Sequence, residues 1–477
     1  ASDVYKRQDY LLLNGKDFFK GKNQVMLDNL PYYTVKELKV YDRSSEKSRL
    51  MGKEMEKKDY VMDVALKREY ARGYIANVEA AGGSEDRYLA RLFGLYYTDN
   101  SRISVFGNMN NMNETRRPGS QGDWSPSNSP QGQKTTRQVG VDFNASSKSQ
   151  MIREQGNVTF AWDNTHDLTH SSQENFASTG NIFGRSISDS RSDNHSFNLY
   201  NTFQVDGKLG VWSDTRIDYS DRKSSSSNLS ATYSANPERW GDIRQTIDST
   251  FAQNVSGSLH DIITNRSLYQ SRSKEHAFTA SETAVVWYKL PWGDRITLDM
   301  YGKYASSKPN ESFSLNRNEY FKTGEKDLRN YYNDSRSNSY NIRSTFKYGI
   351  EIPYTKWTVL VGPDFAQTYQ SVKGLKYRLD ELGGDWIANP ELMFATLPSN
   401  MEQLSGVIDE DVSRSYQTMK KNTGGELLFQ RNDRSSYLFL SLSISEEKER
   451  LNYHTSALDT IARRNRVVFM PSFMYDC

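Results

Sequence analysis

The sequence has one cysteine, Cys477, at its last position. That excludes an internal disulfide framework and any Cys-x-x-Cys metal site. No run of about 18 apolar residues occurs, so no transmembrane helix is expected. The first residues lack the charged-then-apolar pattern of a signal peptide. Lys and Arg total 61 against 59 Asp and Glu, a balance that gives no electrostatic case for nucleic acid. GxSxG, HExxH, GxxxxGK[ST] and EF-hand patterns are missing, and no Ser, His and Asp spacing selects a triad. No enzyme activity and no cofactor are therefore expected. The six histidines include His166 and His170, with Asp163 and Asp167 nearby, but their segment reads as loop and no metal site is expected.

Apolar residues are also few, at 36%, and mean hydropathy is −0.79. Aromatics nevertheless reach 12%, with 30 Tyr, 21 Phe and 8 Trp. A disordered chain of this polarity would be poor in aromatics. The chain therefore folds, burying its apolar groups in a thin or alternating way.

That alternation has period two from about residue 72 onward. Leu438, Leu440, Leu442 and Ile444 fall on one face, with Ser441, Ser443 and Ser445 on the other. Val139, Val141, Phe143 and Ala145 alternate with Gly140, Asp142, Asn144 and Ser146, and Ile296, Leu298 and Met300 with Thr297 and Asp299. Leu209, Val211, Ile217 and Tyr219 share a face opposite Asp214, Arg216 and Asp218. Each segment is a strand with one apolar and one polar side, and about fourteen such strands are expected. Alone, this pattern fits a soluble sandwich as well as a barrel.

The connections separate the two. Thr98–Ser101, Val205–Lys208, Pro291–Asp294 and Asn432–Ser435 are tight, built from hairpin-turn residues. Between them come long polar stretches at 113–135, 166–190, 222–274, 307–336, 370–412 and 450–463, with helical pattern at 238–252 and 399–409. The two kinds alternate, which is the habit of an up-and-down outer-membrane barrel. Tyr96, Tyr97, Trp287, Tyr288, Trp292 and Trp357 fit either interfacial girdles or core positions.

Before residue 70 the texture changes to a small mixed α/β module. Tyr10–Leu13 reads as a strand, Asn14-Gly15 as a turn, Gln24–Leu30 as a helix stopped by Pro31, and Val35–Tyr41 and Tyr60–Leu66 as strands. Asn14, Gly15, Lys16, Asp17, Phe18 and Phe19, then Leu30 and Pro31, then Val40, Tyr41 and Asp42, resemble the second half of the plug of TonB-dependent receptors. Gly73–Val78, Arg87–Phe93 and Ser104–Gly107 with Asn110–Glu114 resemble the first barrel strands of the outer-membrane β-barrel subgroup of that family.

The resemblance implies a mainly β fold, a transmembrane antiparallel up-and-down barrel with a small α/β plug remnant. It implies a nutrient receptor and transporter in the outer membrane of a Gram-negative cell. Outer-membrane lipid, a periplasmic TonB-type energy-transducing protein and a surface lipoprotein are the expected partners. The quoted plug residues are structural and bind no ligand. Residues 1–8 read as a sequencing scar, 9–70 as the C-terminal half of a plug, and 71–477 as a barrel lacking its last strands. Such a piece is expected to form an open sheet, with the strands near 72 and 474 unpartnered. A non-transporting barrel (adhesive or structural) and a soluble glycan-binding β-protein remain as alternatives, and the transported ligand is unassigned.

Overall fold

The computed structural model describes residues 10–17, 32–44, 58–67, 72–98, 100–114, 132–176, 178, 180–352, 354–432, 437–455 and 458–476. Two sheets account for most of them. The first has the order β2-β1-β4-β3, from β1 (Tyr10–Leu13), β2 (Lys16–Asp17), β3 (Val35–Arg43) and β4 (Asp59–Leu66). β1 and β4 run parallel, and the other pairs are antiparallel.

Asn14 and Gly15, with φ of 49° and 75°, close the β1–β2 hairpin. Both central residues of such a two-residue turn need positive φ, which Asn and Gly tolerate best. The turn is then tied to β4: Asn14 Oδ1 accepts from the Leu66 amide at 2.8 Å, and the Gly15 amide donates to Asp63 Oδ1 at 2.7 Å.

The second sheet contains fourteen antiparallel strands in chain order. They are β5 (Gly73–Gly82), β6 (Tyr88–Tyr97), β7 (Ser101–Asn110), β8 (Gln133–Ser146), β9 (Ile152–Asn175), β10 (Ile182–Val205) and β11 (Leu209–Tyr233). Then follow β12 (Ile263–Lys289), β13 (Arg295–Tyr320), β14 (Lys326–Glu351), β15 (Trp357–Arg378), β16 (Arg414–Asn432), β17 (Tyr437–His454) and β18 (Asp459–Asp476). All fourteen expected strands are present. The sheet does not close on itself: β5 and β18 are its edges, each paired on one side among the described residues, as expected.

The long connections are a correction. Segments read as loops at 166–190 and 307–336 are largely strand, and 222–274 is strand at both ends, over 222–233 and 263–274; the β9–β10 and β13–β14 connections shrink to 176–181 and 321–325. His166 and His170 accordingly lie within β9. The apolar alternation stops partway up each strand, but the backbone ladder continues through polar residues such as Ser224–Ser227. Periodicity reports burial, and a ladder with polar residues on both faces has no apolar side to report.

Helical pattern survives at the far ends. The β11–β12 connection carries a 3-10 turn (Pro237–Trp240), α1 (Ile243–Thr250) and α2 (Gly257–His260). Asp242 caps α1, accepting from the Gln245 amide while Gln245 reaches back to the Asp242 amide. The β15–β16 connection carries 3-10 turns at Leu379–Leu382 and Met401–Val407 and α3 (Asp385–Ala388).

Candidate functional site

The alternation along the large sheet sorts residues in an inverted way. On β7, Arg102, Ser104, Asn108 and Asn110 are buried, while Ile103, Val105 and Met109 are exposed. Cross-strand pairing carries the exposed face onward: Ile103 lies opposite Phe143, Val105 opposite Val141, and Val141 opposite Val158. At the other edge, Ile444 pairs with Phe469, exposed by 56% and 62%, while Ser441 and Ser445 beneath them are buried. Thr202, Gln204, Thr297, Thr345, Thr358 and Gln430 are further buried polar residues of the inner face. Glu282 of β12 is an exception on the outer face, where it accepts from Thr215 Oγ1.

A row of aromatics crosses the outer face. Phe160, Phe197, Tyr219 and Phe278 are directly opposed on β9 to β12, and Tyr304, Tyr340 and Tyr369 on β13 to β15. Phe160 and Phe197 ring centres are 4.8 Å apart, Phe278 and Tyr304 6.2 Å, and Tyr340 and Tyr369 5.3 Å. Below this row the outer face is largely apolar down to the tight turns, interrupted by Ser213 and Thr215 of β11 and Glu282 of β12. On β11 it runs from Tyr219 to Leu209, ten residues and so about 33 Å of strand.

The sequence-assigned aromatics divide between the faces. Tyr96, Tyr288 and Trp292 are exposed, whereas Tyr97 and Trp287 are buried on the inner face. Trp292 Nε1 donates to Asp294 Oδ2 at 3.0 Å, beside the Tyr348 hydroxyl that donates to the same oxygen at 2.6 Å. Trp357 is half-buried. Trp287 packs with Val285 and Trp212 inside, where Gly210 lies under the indole: a Cβ there would stand 1.9 Å from it.

The small sheet rests against this inner face. Leu11, Leu13, Met62, Val64 and Leu66 form one buried cluster with Phe93, Leu95, Tyr97 and Phe106 of β6 and β7. Each large side chain so buried contributes about 1.5–3 kcal/mol. Arg102, 5% exposed, donates from Nη2 to the Leu13 carbonyl at 2.8 Å and so pins β1 to β7. Of the motif residues, Asn14 and Gly15 form the turn, Lys16 and Asp17 form β2, and Val40, Tyr41 and Asp42 pair with Met62, Val61 and Tyr60. Phe18, Phe19, Leu30 and Pro31, and the helix expected at 24–30, lie outside the described residues.

Above the aromatic row, two capped hairpins enclose polar surface. The first cap buries Tyr233, Ile247, Leu259 and Ile263, and the Tyr233 hydroxyl meets Thr250 Oγ1 at 2.7 Å. The second buries Tyr332, Leu379, Leu404 and Val407. Burial pushes the Tyr332 hydroxyl up to about 12, with help from the Glu311 and Asp334 charges. An ion-pair chain joins the caps. Arg266 donates to the Thr250 carbonyl at 2.6 Å and meets Glu319 at 2.7 Å. Arg317 meets Glu319 at 3.6 Å and Glu391 at 2.5 Å.

Between caps and aromatic row lies a cavity of about 700 Å³ whose lining includes Arg191, Asp193, Lys223, Arg272, Lys274 and Glu311. Sequence reasoning missed this basin because Lys223, Arg272, Lys274 and Glu311 fell in stretches read as loop. Among the described residues no group of three His, Cys, Asp or Glu could hold a metal ion.

No family model and no curated protein matches this sequence. Among solved structures, the chain is similar to the ferric yersiniabactin uptake receptor FyuA from Yersinia pestis, at 8% identity and a TM-score of 0.16. That match covers 94% of this chain and 81% of the receptor. At that TM-score the likeness carries no argument. The chain is a mainly β protein built on a large antiparallel up-and-down sheet.

Proposed function

We propose that this chain is part of an outer-membrane receptor and transporter of the TonB-dependent kind. The observation that carries the reading is the inverted sheet, apolar outside and polar inside across its strands. A continuous exposed face of this size is untenable in water, where soluble monomers keep apolar patches to a few hundred Å². In lipid it is what is required. About 33 Å of strand at a tilt of about 40° spans roughly 25 Å, the height of the apolar band of an outer-membrane barrel. The aromatic row then marks the outer interface, and Tyr96, Tyr288 and Trp292 the periplasmic one.

In this reading the four-stranded sheet is the second half of a plug, held inside by Arg102 and the Phe93–Phe106 cluster. A periplasmic TonB-type protein would move the plug. The capped hairpins stand outside the cell and capture the ligand, with a surface lipoprotein as a further partner. No bond is made or broken by the protein. The sequence motif and the inverted sheet support this independently of each other.

Membrane fractionation of the expressed chain, with a denaturing gel run with and without boiling, tests it. Outer-membrane recovery with a mobility shift on boiling is expected. Recovery as a soluble, unshifted protein would refute the reading and favour the glycan-binding alternative. A shifting protein from whose host deletion abolishes adhesion but no nutrient uptake would indicate the non-transporting barrel.

A further inference from the structure

Like charges stand directly opposite each other in the basin. Lys223 of β11 pairs with Lys274 of β12, on the face shared with Tyr219 and Phe278. Directly opposed side chains on one face have Cβ atoms about 4.5–5.5 Å apart, and like charges there repel. Arg272 stands opposite Ser225, one step further along the same face, and Arg191 stands opposite Ser225 from the other side. Asp193 and Glu311 flank the lysine pair in register. Neither closes on it: Asp193 instead faces His195 at 3.4 Å and accepts from Asn164 at 2.9 Å. Lys223, Arg272 and Lys274 have no ion-pair partner among the described residues. Four cations therefore line the cavity against two carboxylates, and an anion between Lys223, Lys274 and Arg272 would relieve the repulsion.

We propose that these three cations hold a phosphate group of an outer-leaflet lipid headgroup, beside Arg191, whose guanidinium meets Asp189 at 3.4 Å. The inference rests on the membrane reading above for its choice of source. Lys223 and Lys274 are each four residues beyond the aromatic row, about 13 Å of strand and about 10 Å along the membrane normal. Headgroups occupy the first 5–8 Å or so outside the hydrocarbon core, within reach of a lysine or arginine stem. A phosphate accepts several charge-assisted hydrogen bonds at once, and guanidinium and ammonium groups supply them. Because the site lies on the lipid-facing side of the strands, its ligand arrives from the bilayer rather than through the lumen.

The test uses the full 477-residue chain folded in neutral detergent. Native mass spectrometry would compare retention of phosphatidic acid, phosphatidylcholine and inorganic phosphate. The wild type is expected to retain phosphatidic acid in preference to the other two. K223Q/R272Q/K274Q is expected to lose that retention by about a hundredfold, at about fivefold per cation. Lys274→Glu, which replaces the like pair with an opposite one, should also lose it. Equal retention by wild type and triple variant would overturn the proposal. Inorganic phosphate held as tightly as phosphatidic acid would overturn the lipid source and indicate a soluble phosphorylated ligand. Insertion of both proteins into phosphatidylcholine vesicles, read by the shift on boiling, shows that the triple variant folds. It also reports on the membrane reading separately.

Discussion

Met300→Arg places a charge at the centre of the proposed bilayer face. Met300 is exposed on β13, four residues above Ile296 and four below Tyr304 of the aromatic row, all on one face. At about 3.3 Å per residue it stands some 13 Å of strand from either end, too far for an arginine to reach water easily. An arginine at the bilayer midplane of a barrel costs about 2–4 kcal/mol, roughly a 30- to 1000-fold loss in the folding equilibrium. Tyr301, the next residue, points to the opposite face across from Arg343, and Tyr301→Glu, an opposite charge there, should cost under about 1 kcal/mol. Both variants would be folded into phosphatidylcholine vesicles and titrated with urea. Equal costs, or a Met300→Arg cost within the roughly 0.5 kcal/mol of an ordinary surface substitution, would show that this face meets water and would refute the inside-out reading.

Three further outcomes are expected. Gly210→Ala should destabilise by about 1–3 kcal/mol through overpacking, because its Cβ would meet Trp287; urea titration followed by tryptophan fluorescence reads it. Arg102→Ala removes the donor to the Leu13 carbonyl and should weaken the seat of the small sheet by about 1.5–3 kcal/mol. Limited proteolysis should then cut residues 10–67 well before the large sheet. Finally, Tyr332 titrates near 10 in an unfolded chain and is pushed up to about 12 in the second cap. The stability this contributes is fully present below pH about 10 and is lost as pH rises through about 12. Trp386 fluorescence should report the cap loosening in that window, and Tyr332→Phe should lessen the dependence, leaving the part due to Tyr377, whose hydroxyl burial also pushes up.

Much of the architecture was legible without coordinates. The alternation of Leu438, Leu440, Leu442 and Ile444 with serines located a strand and its two faces, because side chains of a strand must alternate. Asn14-Gly15 announced a hairpin, because few other residue pairs accept positive φ twice in succession. Tyr97 and Trp287 could not be told from Tyr96 and Tyr288, their neighbours, since an aromatic suits a lipid interface and a protein core alike. Parity alone divides them, and parity has meaning only once one face is known to be inside. The basin was illegible for a related reason: Lys223 and Lys274 are 51 positions apart, and nothing in either segment states that they stand opposite.

The sequence by itself determined the strands, their count, and which residues share a side of each, because these follow from local geometry and from a pattern of period two. Only the tertiary structure decided how far the ladders run, which side is outward, and which charges meet. Those depend on register between distant segments, where a shift of one residue would exchange the two faces of a strand and leave its composition unchanged.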